Sequence, residues 1–208
     1  TISGGIFDIN SRTDTVGAIS LTSGSVTGSS GVLTGASYSI SNATGTTVIS
    51  AILAGGSSVG LTKTGAGTLT LSGQNTYGGT TTINAGTVTV SSDANLGAAP
   101  GSATPGQLVF NGGTLATTAD FTLSANRGIA LTGNGTIDVN TGTLNLGGNS
   151  TYNGSTTINA GTVAISNSGA LGSSTGGTTI ASGATLSLSG GITISDAISV
   201  AGVGASST

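Results

Sequence analysis

Chemistry in this chain would have to come from carboxylates. The sequence holds six aspartates and three cations (Arg12, Lys63 and Arg127), with no His, Cys or Glu. A Ser/His/Asp triad, a Cys/His dyad and zinc sites built on imidazole or thiolate are therefore excluded. What remains is clustered Asp assisted by Lys or Arg, the pattern of polysaccharide-active enzymes, for which Asp93, Asp120, Asp138 and Asp196 are the candidates. These four lie far apart in sequence, and no repeat sets two of them on one strand face at i, i+2. Aspartates satisfied in turns and loops are the better reading, so no catalytic, cofactor-binding or metal-ligating residue is assigned.

The other motifs are equally bland. GAGTLTL and INAGTV match a phosphate loop only loosely, because neither a helix nor a P-loop lysine follows, and turns account for these glycines. GGSSVG and GGNSTY lack the Asp of a calcium-binding nonapeptide. Tyr77 and Tyr152 are read as covering a corner of the structure, and Lys63 and Arg127 as solvated. The sequons at Asn42, Asn134, Asn149 and Asn153 are attributed to chance in so Asn- and Thr-rich a chain. One pattern supports a rival: Thr68/Thr70, Thr80/Thr82 and Thr87/Thr89 are T-x-T pairs that share a strand face, like those of ice-binding solenoids. The later copy of this stretch replaces Thr70 by Asn145, Thr80 by Ser155 and Thr89 by Ala164, so no continuous threonine grid is expected.

Composition restricts the partners. Only 4% of the 208 residues are charged and the net charge is -3. Three cations cannot neutralise a nucleic-acid backbone, and no basic amphipathic stretch or long apolar run suggests a membrane surface or span. The absence of cysteine leaves the compartment open.

The elements are short strands. The 39 glycines would each cost about 1 kcal/mol inside a helix, whereas β-branched runs cut by Gly, Ser and Asn read as strands. Such runs are Ile6 to Ile9, Thr15 to Leu21, Val32 to Thr34, Tyr38 to Ile40 and Thr47 to Ile52. Further runs are Thr68 to Leu71, Thr80 to Ile83, Thr87 to Val90, Phe121 to Leu123, Ile129 to Leu131, Thr136 to Val139, Ile192 to Ile194 and Ile198 to Val200. SSDANLGAAPGSATPGQ, with both prolines, is the expected loop, in which Asp93 or Asn95 could start a turn by bonding the backbone ahead.

The stretch Leu61 to Leu96 returns 75 residues later, with Tyr77/Tyr152, Ile83/Ile158, Gly86/Gly161 and Leu96/Leu171 in one register and TTINAGTV identical. Gln107 to Leu115 aligns with Thr178 to Leu186 at an offset of 71, which places four extra residues in the loop of the first copy. Self-similarity of this kind marks a solenoid or propeller; strands of about four residues and no Trp favour the solenoid. The expectation is one parallel β-helix over residues 1–208, with its internal repeat at 61–131 and 136–200. It should have about 20 to 25 residues per coil, and Tyr77 and Tyr152 should share one side. The pattern runs from the first residue to Val203 without a polar cap, which suggests a piece of a longer chain and predicts end-to-end self-association through open edges.

LTKTGAGTLTLSGQNTYGGTTTINAGTVTV resembles the autotransporter-associated β-strand repeat of bacterial surface proteins, strongly over Leu61 to Leu96 and well over Gly142 to Leu171. The resemblance implies a right-handed β-helix on the cell surface, exported unfolded and folded outside, without catalytic activity or cofactor. A structural or adhesive module of an extracellular fibre is the leading reading, with a host or matrix surface as possible partner. Ice binding or ligand binding by T-x-T faces is the alternative, and a polysaccharide-active enzyme a weaker one.

Overall fold

Strand formation follows alternation. Thr68–Leu71 (TLTL) and Thr87–Val90 (TVTV) each bury their apolar residues and leave their threonines half-exposed. A pleated strand turns this period of two into one inward and one outward face, and β-branched threonine suits the outward one. The computed structural model describes residues 1–140 and 142–202; Val203 lies outside them.

Each turn of the chain lays three short strands on three faces. Face one stacks Ser37–Ile40, Leu61–Lys63, Thr81–Ile83 and Thr104–Phe110 in that order. Face two stacks Thr46–Ile49, Thr68–Leu71, Thr87–Val90 and Thr114–Thr117. Face three stacks Thr13–Thr15, Val32–Thr34, Ile52–Gly55 and Thr76–Tyr77. Every one of these pairings is parallel, so the chain is a β-solenoid of about nine turns, a rod about 43 Å long at about 4.8 Å per turn. Faces one and two join into one sheet through Ala18–Thr27, a strand that crosses the corner between them.

The core is a set of ladders. On face two Leu69, Val88, Leu115, Ile137 and Ile158 succeed one another, and each is buried. Complete burial of such a side chain contributes about 1.5–3 kcal/mol, and because each turn touches only its neighbours, stability accumulates turn by turn. Corners carry the polar bonds. Asn75 accepts from the Leu53 N–H at 2.8 Å and donates to Asn95 O at 2.6 Å, while Asn95 donates to Gly73 O at 3.0 Å.

Turn length varies with the corners and loops. Thr70 pairs with Thr89, nineteen residues on, but Thr89 pairs with Ala116, twenty-seven on. The corresponding turn later in the chain, Ala164 to Ser187, is twenty-three, four shorter. The long turn holds a 3-10 helix, Asp93–Leu96, which interrupts face three. Asn75 N bonds Ala94 O beneath the helix, and Phe121–Leu123 packs above it, from which face three resumes as Thr143–Leu146, Thr162–Ile165 and Thr185–Leu188.

Several strand limits differ from expectation. Thr47 to Ile52 is two strands, Thr46–Ile49 and Ile52–Gly55, parted by a corner at Ser50 and Ala51. Thr104–Phe110 starts inside the expected loop, and 192–194 is not a strand. Asn95 bonds backwards, its Oδ1 accepting from the N–H groups of Ser91 and Ser92.

The repeat is out of step with the coil. From Thr68–Leu71 on face two the chain crosses ten faces, or three and a third turns, to its counterpart Thr143–Leu146 on face three. Every matched residue moves one face round. Tyr77 pairs with Gly55 on face three, whereas Thr151 N bonds Ile129 O and sets Tyr152 on face one. The expectation that the two tyrosines share a side is therefore corrected: a repeat fixes local geometry, and its azimuth depends on how many faces lie between copies.

Candidate functional site: the outer threonine file

Three of the four candidate carboxylates are held by hydrogen bonds. Asp93 accepts from Arg127 Nε at 2.9 Å and Nη2 at 3.4 Å, and from Ser124 N at 3.1 Å. Asp120 accepts from Thr143 N at 2.8 Å, and Asp196 from the Thr178 hydroxyl. Asp138 lies on the outer side of face two, above Ala116. None of the four hydrogen-bonds another, and among the described residues no three Asp, Glu, His or Cys side chains gather as metal ligands.

Two of the three cations are not solvated. Arg127 is fully buried; besides Asp93 it donates to Leu96 O at 3.1 Å and Gly97 O at 2.8 Å. With its charge matched and its donors used, it holds the 3-10 helix against the next turn. Lys63 is also fully buried, in the face-one ladder between Ile40 and Ile83. Its Nζ donates to Gly65 O, and burial pushes its pKa down.

The tyrosines are interior too. Tyr77 Oη lies 2.8 Å from Thr81 Oγ1, and the Thr156 hydroxyl donates to Tyr152 Oη at the same distance. Burial pushes Tyr77 up and Tyr152 up to about 12, each partly offset by its threonine hydrogen bond. Tyr38 packs beside Tyr77 with ring centroids 5.9 Å apart. No tyrosine ring is therefore presented for ligand stacking. Of the four sequon asparagines, Asn42 is buried and Asn134, Asn149 and Asn153 are exposed.

What the outside does present is a file of hydroxyls. Thr46, Thr68, Thr87, Thr114, Thr136, Thr157 and Thr179 pair in succession along face two, with Ser199 after them. Each of these side chains is half-buried or exposed. The parallel file two residues along is mixed: Val48, Thr70, Thr89, Ala116 and Asp138. One continuous file therefore exists, and the expected lack of a threonine grid holds only for the pair of files. Sequence comparison between the copies missed the file because Thr157 matches Thr82, a face-one residue, and reaches face two only through the one-face shift.

The passenger-associated-transport-repeat model matches residues 61–90 and 139–165. A relative described as an adhesin, the BmaC autotransporter of Brucella suis biovar 1 (strain 1330), is 46% identical over 102 residues, 48% of this chain; the match spans 3% of that protein's length. No solved structure matches the chain. The chain thus carries two segments similar to the passenger-associated transport repeat, and both lie within its parallel coils.

Proposed function

We propose that the chain is a non-enzymatic adhesive and spacer module of a bacterial autotransporter passenger, displayed at the cell surface. The observation that carries this reading is the outer wall of face two, an unbroken file of threonine hydroxyls. Such a wall offers many weak hydrogen bonds along a stiff rod, so that binding energy comes from number and not from one pocket. The similarity to an adhesin autotransporter supports the reading. Beads coated with the folded chain should attach to host-cell monolayers or matrix, and the triple variant Thr87→Lys, Thr114→Lys, Thr136→Lys should lose attachment while keeping its β-sheet circular dichroism. Equal attachment by the variant would reduce the module to a spacer.

The ends supply the second contact. The first turn exposes Ile6, Phe7 and Val16, and the last exposes Leu188, Ile198 and Val200. Unpaired strand edges with apolar side chains template another turn, and a head-to-tail contact does not close. These edges suit end-to-end association between copies or continuation into further repeats. Sedimentation should show concentration-dependent growth; a strict monomer at high concentration would contradict it.

Ice binding is the rival that the threonine file favours. Only Thr68/Thr70 and Thr87/Thr89 complete T-x-T pairs in adjacent turns, so no thermal hysteresis is expected; a clear freezing gap would reverse the order of the two readings.

A further inference from the structure

Three Asn-Gly pairs occur in the chain, at Asn111, Asn134 and Asn153, and all three asparagines are exposed. Their glycine nitrogens differ. Gly112 N donates to Asn134 O at 2.7 Å and Gly135 N to Ser155 O at 3.2 Å, whereas Gly154 N has no hydrogen-bond partner among the described residues. The matching residue of the first copy, Gly79, follows a glycine and donates to Val59 O at 2.8 Å. The second copy thus combines an asparagine with a free following N–H. From the next turn, the Ser173 hydroxyl donates to Asn153 Oδ1 at 2.5 Å, and Thr175 Oγ1 lies 2.6 Å from Ser173 Oγ and 3.3 Å from Asn153 Oδ1.

We propose that Asn153 is a site of spontaneous covalent modification. The Gly154 amide nitrogen, giving its proton to water, attacks the Asn153 side-chain carbonyl carbon. A C–N bond forms, and the side-chain nitrogen leaves as ammonia. The resulting five-membered imide takes up water at either carbonyl, yielding aspartate or isoaspartate, so that the net change is one water consumed and one ammonia released. The Ser173 hydroxyl, itself 2.6 Å from Thr175 Oγ1, polarises the carbonyl and stabilises the oxyanion that develops on it. The product carries a negative charge on a wall that otherwise has very few. Isoaspartate also lengthens the main chain by one atom, beside the turn where Ser173 N bonds Tyr152 O.

The test is ageing of the purified folded chain in mildly alkaline buffer, followed by peptide mapping and enzymatic methylation of isoaspartate. Conversion at Asn153 should run about five- to tenfold faster than at Asn111 or Asn134, whose glycine nitrogens must first break a hydrogen bond. In denaturant the three rates should converge, and Ser173→Ala with Thr175→Ala should slow Asn153 severalfold in the folded chain. An unmodified Asn153, or one no faster than the other two in the folded state, would overturn the proposal. So would faster conversion in the hydroxyl-deleted variant.

Discussion

Residues 61–90 and 136–165 use one local design in two settings. In both, TTINAGTV forms a strand, a corner and a second strand, and a buried tyrosine meets the first threonine at 2.8 Å. In the first copy that strand-corner-strand runs from face one to face two, and in the second from face two to face three. The interior tolerates the shift because all three faces point apolar side chains at one axis. Local sequence specifies which residues turn inward, while the turn count between copies specifies where they sit.

The junction between the copies is where the largest effect is expected. Arg127→Met should cost about 3–5 kcal/mol, because Asp93 would stay as a partly buried unpaired carboxylate and two carbonyls would lose their donor. Chemical denaturation checks this. A loss below about 1 kcal/mol would show that packing alone holds the 3-10 helix.

The shared corner comes next. Gly86 and Gly161 have φ of +67° and +64°, and a Cβ on either would stand 2.3 Å from Gly67 O or 1.9 Å from Val139 O. Alanine at either position should cost about 2–3 kcal/mol through backbone strain and displacement. Similar losses for Gly86→Ala and Gly161→Ala would confirm one design on two pairs of faces; a large inequality would break the comparison.

A sharper contrast lies at Asn75 and its counterpart Ser150. Both accept a backbone N–H, from Leu53 and from Ile129 respectively, but only Asn75 also donates to the turn above. Asn75→Ala should therefore destabilise by about 2 kcal/mol and Ser150→Ala by about 1 kcal/mol, read as a difference in denaturation midpoint.

Titration gives the smallest contrast. Tyr152 titrates at about 12 when folded against 10.0 when free. The unfolded chain then releases this proton first, so the stability contributed is complete below pH 10 and lost as pH rises through 12. Tyr77 acts in the same direction. Lys63 opposes them, since its lowered pKa makes stability rise with pH up to its unfolded value of 10.5. Alkaline unfolding should thus be delayed in Tyr152→Phe and Tyr77→Phe. Lys63→Met should be more stable than the parent near neutral pH, with less gain as the lysine deprotonates.

Much of this was legible in the sequence, and the rest was not, for identifiable reasons. Alternation in TLTL and TVTV fixed strands and faces, and the four extra residues of the first copy fell in the long turn. Alternation also carried a signal that was overlooked: Lys63 shares parity with Leu61, and Arg127 with Ile129 and Leu131, which places both cations inward. The pairing of Arg127 with Asp93 could not be read, because it spans 34 residues and depends on turn length. The threonine file was hidden for the same reason. Its members come from non-equivalent positions of the repeat and align only once every turn has been counted.

The one-face shift can be trapped covalently. Thr136 and Thr157 pair directly on face two, about 4.8 Å apart between Cα atoms, within the range of about 4.4–6.8 Å that a disulfide spans. Thr136→Cys with Thr157→Cys should oxidise readily in the folded chain, whereas Ala130→Cys with Thr157→Cys, on faces one and two, should not. Rapid closure of the second pair in place of the first would put the second copy back on the side of the first and contradict the account.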